Sequence, residues 1–353
     1  MRLFGLTLLA LLSLVSLSSP GAAASEPPTV AQVGPIQSGF DPLGAPVQSL
    51  TLANGRTVHY IDTGEAEWRP VLFVGGTGTS ARAFEMTEFL QTLRRQLKLR
   101  VISVERNGFG DTPIIPGWSY GDYADEVRAV LDHLGVTRFA GLAISGGGPY
   151  LAQVTAAMPE RLISVHMLAA ATQRPAADPV CKMSTAALTA ALKPSVQNPQ
   201  SWWAFPANSP THGIPGFSDR AYDEGARAFF IRGQMGDPAP QAAEVQRYCG
   251  PVADLAAVKA PAFIYQGTAD PLVTMQSAEF WRAHFPNVAR MRVYPGEGHD
   301  IQYRHWDQVL IDVSGHPELT VMCVRGKSQA LSESKAEALV KAGATAGICA
   351  WRK

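Results

Sequence analysis

Gly141–Tyr150, GLAISGGGPY, constrains the fold more than any other stretch of this chain. A run of apolar and small residues, Phe139 to Ile144, stops at Ser145; three glycines and a proline follow, and a helical pattern starts at Tyr150. This is the signature of a strand, a tight turn and a helix, with a serine held at the apex. Glycine flanks the serine for a physical reason: the turn strains its central residue, and a β-carbon on a neighbour would collide with the adjoining strand or helix. The serine oxygen is then pushed out of the sheet, beside the unpaired N–H groups and positive end of the helix that follows. The string Ala143-Ile144-Ser145-Gly146-Gly147 is only moderately specific, because a glycine-rich turn of this kind can also bind a phosphate or merely pack.

The rest of the chain repeats the strand-then-helix rhythm. Val47–Leu52 and Arg56–Ile61 read as paired strands around Asn54-Gly55, a two-residue hairpin signal. Val71–Val74 and Leu99–Val104 read as buried strands, the first ending in Gly75-Gly76-Thr77-Gly78-Thr79. One helix is expected after that turn (Ala83, Phe84, Phe89, Leu90 and Leu93 at helical spacing), and another over Tyr120–Leu134. Strands at Leu162–Leu168, Pro261–Gly267 and Ala289–Tyr294 follow, with helices over Met275–His284 and about His305–Val313. Near-continuous apolar strands separated by helices mean a parallel sheet covered on both faces. The rhythm lapses over 172–259, a proline-rich stretch with helical fragments at Ser184–Leu192 and Asp219–Ile231, which reads as a cap inserted over the strand ends. The expected organisation is a signal peptide over 1–24, an extended leader over 25–46, a core over 47–171 and 260–315, the cap, and a C-terminal appendage over 316–353 with a helical piece at Ser334–Lys341.

Arg2 is the only charge before Glu26, an apolar run spans Leu3 to about Leu17, and Ala22-Ala23-Ala24 offers a cleavage site. These residues predict a cleaved secretory signal and a secreted or periplasmic product, with no membrane association after cleavage. Lys+Arg and Asp+Glu are balanced at 30 each, so no nucleic-acid partner is expected, and the oligomeric state is left open. Four cysteines in an exported chain favour disulfides. The count leaves the connectivity open; local pairing, Cys181–Cys249 within the cap and Cys323–Cys349 within the appendage, is the expectation. No Cys/His cluster has zinc-ligand spacing, so no metal is expected.

Four stretches together resemble the α/β-hydrolase superfamily: the glycine-rich turn Gly75–Thr79, the segment Glu105–Thr112 (similar to the family's D-R-x-G-x-G-x-S with Glu105 in place of Asp), the elbow at Ser145, and the later pair Asp270 and His299. The resemblance covers about Gln48 to Val313 and implies an α/β fold with a mostly parallel central sheet and helices on both faces. Nucleophile, acid and histidine in that chain order is the family's order. A serine hydroxyl needs an imidazole to take its proton as it attacks, and the imidazole needs a carboxylate to fix its tautomer. Of eight histidines, His299 follows a late sheet strand in a glycine-flanked loop, where a parallel sheet presents its ligand-binding edge. His133, His284 and His305 fall within helical patterns and His59 in an early strand, all reading as structural. Asp270 ends the preceding strand; Asp178 is the reserve acid, and Asp300 lies too near His299 in sequence to orient it.

The resemblance further implies an oxyanion hole made by the N–H groups of Thr77 and Gly146. The chain departs from the family's His-Gly at the start of this turn, with Gly75-Gly76 instead, which predicts an altered loop. A serine at 145, where haloalkane dehalogenase-like or epoxide hydrolase-like members carry Asp, implies acyl transfer to water without a cofactor. Trp202, Trp203 and Phe205 can line an acyl or aromatic pocket, or pack the cap onto the core. The expected activity is hydrolysis of carboxylic esters of small to medium apolar molecules. The alternatives are hydrolytic C–C cleavage of a β-diketone-type substrate by the same triad, or a non-catalytic binding protein on this scaffold.

Overall fold

A computed structural model describes residues 45–197 and 237–349. The predicted signal peptide, Trp202, Trp203, Phe205 and the fragment Asp219–Ile231 lie outside the described residues.

The centre is an eight-stranded sheet in the order β1-β2-β4-β3-β5-β6-β7-β8. Its strands are β1 (Val47–Thr51), β2 (Thr57–Asp62), β3 (Arg69–Val74), β4 (Leu99–Val104), β5 (Phe139–Ile144), β6 (Leu162–Leu168), β7 (Ala262–Gly267) and β8 (Val288–Tyr294). β1–β2 and β2–β4 pair antiparallel, and every other neighbouring pair is parallel. β4 and β5 are buried at every position, which is why they read as unbroken apolar runs. Alternate residues divide between two cores. Val71, Phe73, Leu99, Val101 and Leu142 join one, with Trp306, Val309 and Leu310; Leu72, Val74, Ile102 and Ala143 join the other, with Val127, Leu131, Leu151 and Trp281.

The helices are α1 (Gln91–Gln96), α2 (Tyr120–His133), α3 (Gly148–Ala157), α4 (Thr185–Gln197), α5 (Ala239–Arg247), α6 (Met275–His284), α7 (Ile301–Arg304), α8 (Trp306–Val313) and α9 (Glu333–Lys341). α2 starts at a capping box in which Ser119 and Asp122 satisfy each other's backbone N–H groups. Among the described residues, no helix is long and apolar enough to cross a membrane.

Three local readings differ from the sequence expectation. The helix expected after Gly75–Thr79 is a 3₁₀ segment, Ala81–Thr87, followed by the separate α1. The β1–β2 turn has three residues: Leu52 N–H bonds Arg56 O, Gly55 N–H bonds Leu52 O, and Gly55 takes φ +83°, a type I turn with a glycine bulge. The appendage, expected to hold a single helical piece, has strands as well. It forms a hairpin of β9 (Leu319–Val324) and β10 (Lys327–Ser332) plus α9, and Leu319, Val321, Ala330 and Ile348 extend one of the two sheet cores.

Both disulfides have the expected pairing, Cys181–Cys249 and Cys323–Cys349. The first ties α5 to the 3₁₀ segment Pro179–Lys182, so the described ends of the insertion are held together above the sheet.

Candidate active site

Parallel strands bring their carboxyl ends to one edge, and four loops meet there. Ser145 follows β5 directly and takes φ +51°, a left-handed conformation that costs a residue with a β-carbon about 1–3 kcal/mol. The elbow tolerates no bulk beside it. A β-carbon on Gly147 would come within 2.5 Å of Val74 O and 2.7 Å of Gly75 O, and one on Gly146 would overlap the Thr77 and Tyr248 hydroxyls and lie 2.9 Å from Thr77 N. The two glycines that follow the serine therefore let α3 sit directly against the β3 loop.

His299 bridges the elbow and Asp270. Its Nε2 is 3.0 Å from Ser145 Oγ, and its Nδ1 is 2.7 Å from Asp270 Oδ2. Asp270 is an acceptor-only group, so Nδ1 carries the proton and Nε2 is left to accept from the serine hydroxyl. The other Asp270 oxygen takes the N–H groups of Leu272 and Val273, both at 2.9 Å. Burial raises this carboxyl, but the hydrogen bond and charge of His299 and the two N–H groups outweigh it, leaving it below the ordinary carboxylate range. The loop carrying His299 is seated on the end of β7. Ala269 N–H bonds Glu297 O at 2.9 Å, Gly296 N–H bonds Thr268 Oγ1 at 2.8 Å, and a β-carbon on Gly267 would meet the carbonyls of Glu297 and Gly298.

Asp178 is elsewhere: it caps the Pro179–Lys182 segment through Val180 N–H and pairs with Arg174. His59 bonds Thr112 Oγ1, His284 bonds Phe280 O, and His305 bonds Glu297 at 2.8 Å while stacked on Tyr294. Each is committed to packing.

The Gly75–Thr79 turn lies against the elbow. A β-carbon on Gly76 would be 3.3 Å from Ser145 Cβ, and one on Gly75 would meet Thr79 Oγ1 at 2.6 Å and Ala83 Cβ at 2.8 Å. A side chain at 75 would need Thr79 or Ala83 to move, which accounts for glycine where the family has histidine, and one at 76 would be a tight fit against Ser145. Thr79 Oγ1 instead bonds Gly76 O at 2.7 Å and closes the turn on itself.

Three residues that sequence reasoning missed converge on this turn. Arg106 donates to Gly76 O and Thr79 O; Glu244 of α5 accepts from Arg106 and from Gly78 N–H; and Tyr248, at the end of α5, shares a 2.9 Å hydrogen bond with Thr77 Oγ1. The available signals were Arg106 in the E-R-N-G-F-G-D-T segment and the four-residue spacing of Glu244 and Tyr248 just before Cys249, which puts both on one helix face.

Comparison with known proteins agrees with this architecture. The family model described as alpha/beta hydrolase fold matches residues 69–305. No curated protein matches the sequence. Among solved structures, a hydrolase from Pseudomonas aeruginosa superposes with TM-score 0.60 at 18% identity, covering 76% of this chain and 98% of that one. A thermophilic esterase from Thermogutta terrifontis gives 0.57 at 18% identity, covering 77% and 97%. The enol-lactonase from Burkholderia xenovorans gives 0.58 at 17%, covering 76% and 99%. Because the family match spans β3 to β8, the serine elbow and the loops that carry Asp270 and His299, this chain belongs to the α/β-hydrolase fold family.

Proposed function

We propose that the chain is an exported serine hydrolase that cleaves carboxylic esters of small to medium apolar molecules through an acyl-enzyme on Ser145, without a cofactor. The observation that carries this reading is the continuous hydrogen-bonded series from Asp270 through His299 to Ser145. In the first step Ser145 Oγ attacks the ester carbonyl as its proton passes to His299 Nε2. The oxyanion that forms is stabilised by the N–H groups of Thr77 and Gly146, where removing one donor costs about 3–4 kcal/mol. His299 then returns the proton to the departing alcohol, and a water activated by the same imidazole releases the acid. The stretch 172–259, read from the sequence as a cap, is the proposed source of specificity, with Trp202, Trp203 and Phe205 as pocket candidates that lie outside the described residues. Export is supported by the signal-like N-terminus and the two disulfides.

The test is fluorophosphonate labelling of the mature protein beside Ser145→Ala, followed by a p-nitrophenyl ester series from acetate to palmitate. Labelling lost in Ser145→Ala, with turnover peaking at one chain length, is the expected result. Labelling without ester turnover moves the reaction to C–C hydrolysis, and absence of labelling overturns the serine mechanism.

A further inference from the structure

The inserted segment is bonded to the turn that carries the proposed oxyanion donor. Glu244 is fully buried on the inward face of α5. Its Oε2 accepts from Gly78 N–H at 2.7 Å, and its Oε1 pairs with Arg106 Nη1 at 2.5 Å. Arg106 is also buried, and its Nη2 donates to Gly76 O at 2.6 Å, Thr79 O at 2.7 Å and Thr79 Oγ1 at 3.1 Å. One helical turn along α5, the Tyr248 hydroxyl takes the side chain of Thr77. Gly76, Thr77, Gly78 and Thr79 are thus each held by this cluster.

The geometry of the peptide unit gives these bonds a consequence. In a trans peptide the carbonyl of one residue and the N–H of the next point in opposite directions. Arg106 grips the Gly76 carbonyl, so the Thr77 N–H of the same peptide faces away from the guanidinium. The Gly76 α-carbon next to it is packed on Ser145, with a β-carbon position only 3.3 Å from Ser145 Cβ. The Gly76 carbonyl also accepts from Thr79 Oγ1 at 2.7 Å and Thr79 N–H at 3.3 Å, but those bonds lie within the glycine-rich turn and move with it, whereas Arg106 anchors the same peptide from outside the turn. Arg106 is in turn oriented by Glu244, its one carboxylate ion-pair partner among the described residues. Docking the insertion does not require such a pair, because a buried ion pair is commonly no more stabilising than a well-packed apolar contact of similar volume.

We propose that Glu244 is a positioning residue. Acting through Arg106 and Gly78 N–H, it fixes the Gly76–Thr77 peptide so that Thr77 N–H meets the oxyanion, and it thereby couples the insertion, tied at Cys181–Cys249, to the reacting centre. This rests on the serine-hydrolase reading above.

The experiment compares wild type, Glu244→Gln and the double variant Arg106→Met/Glu244→Met, which removes both charges together. Each is titrated with a fluorophosphonate, so that rates are expressed per reactive serine. Three quantities are read: kcat and KM on a p-nitrophenyl ester, the inhibition constant of a trifluoromethyl ketone, whose serine adduct carries the oxyanion, and the thermal transition. In both variants kcat is expected to fall about 10- to 100-fold, with a matching weakening of the ketone and KM within about threefold. Wild-type kcat and ketone affinity in a folded double variant would overturn the proposal. So would a loss confined to KM, or a lowered thermal transition with kcat per reactive serine unchanged, both of which assign the cluster to docking alone. A wild-type protein that is not labelled at Ser145 refutes the serine mechanism itself, an outcome distinct from labelled protein with silent Glu244 variants.

Discussion

Replacing Asp270 by Asn tests the proposed catalytic relay most sharply, because the surrounding hydrogen bonds dictate how the amide must sit. One Asp270 oxygen takes two backbone N–H groups, from Leu272 and Val273, while the other faces His299 Nδ1 at 2.7 Å and Gln266 Nε2 at 3.4 Å. An asparagine can offer an oxygen to only one of these sides. Turning its NH2 towards Leu272 and Val273 would leave two donors facing a donor, at about 1–3 kcal/mol for each unsatisfied group. The amide oxygen therefore stays with the backbone, and its NH2 faces His299. The imidazole must then accept at Nδ1 and carry its proton on Nε2, where it can no longer receive the serine proton. Loss of the correct tautomer is worth on the order of 10⁴ in rate, or about 5 kcal/mol of transition-state stabilisation. The assay is kcat/KM on a p-nitrophenyl ester, paired with ¹⁵N NMR of the His299 ring, which reads the protonated nitrogen directly. Retention of more than about a tenth of wild-type activity, or a ring still protonated at Nδ1, would refute the reasoning.

Gly147→Ala pushes a methyl into two backbone carbonyls and is expected to destabilise the fold by about 3 kcal/mol or more, seen as a lowered thermal transition. Gly267→Ala displaces the loop that carries His299 and should lower kcat about 100-fold, whereas Gly298→Ala, whose nearest neighbour is Asp300 Oδ1 at 3.6 Å, should keep kcat within about threefold. Removing Cys323–Cys349, which spans 26 residues, should cost about 3.5 kcal/mol in urea unfolding while leaving kcat unchanged below the transition, because it lies away from the reacting edge. Burial pushes the Glu105 carboxyl up to about 8, with the Ala81 N–H and the Arg106 charge opposing it. The native protein therefore keeps a proton that the unfolded chain has lost, and this contribution to stability is full below the unfolded value and falls as pH rises towards 8. The slope reaches about 1.4 kcal/mol per pH unit, and Glu105→Gln should flatten urea-unfolding stability over that window.

Elements whose residues face one environment along their whole length were legible. Leu99–Val104, Phe139–Ile144, Leu162–Leu168 and Met275–His284 have the bounds the sequence suggests, because each is an apolar or amphipathic run closed by residues of a different kind. The order Ser145, Asp270, His299 was legible because each follows a strand. The β9–β10 hairpin was missed because its two-residue turn is Arg325-Gly326, with φ +50° and +75°, and an arginine in that conformation gives no Asn-Gly-type turn signal.

By itself, then, the sequence determined the strand runs, the strained serine turn and the order of the chemistry-bearing residues, all of which follow from neighbours in the chain; the disulfide connectivity it left open, and the tertiary structure set it as Cys181–Cys249 and Cys323–Cys349. Only the tertiary structure decided what touches what across the sheet edge. His299 reaches Ser145 over 154 residues, and Glu244 reaches Gly78 over 166 and Arg106 over 138. Contacts at that separation leave no periodicity to read. They exist because parallel strands deliver their carboxyl ends to one edge and α5 packs against the loop after β3 there, turning a glutamate with no neighbour of note in sequence into the partner of the Gly75–Thr79 turn.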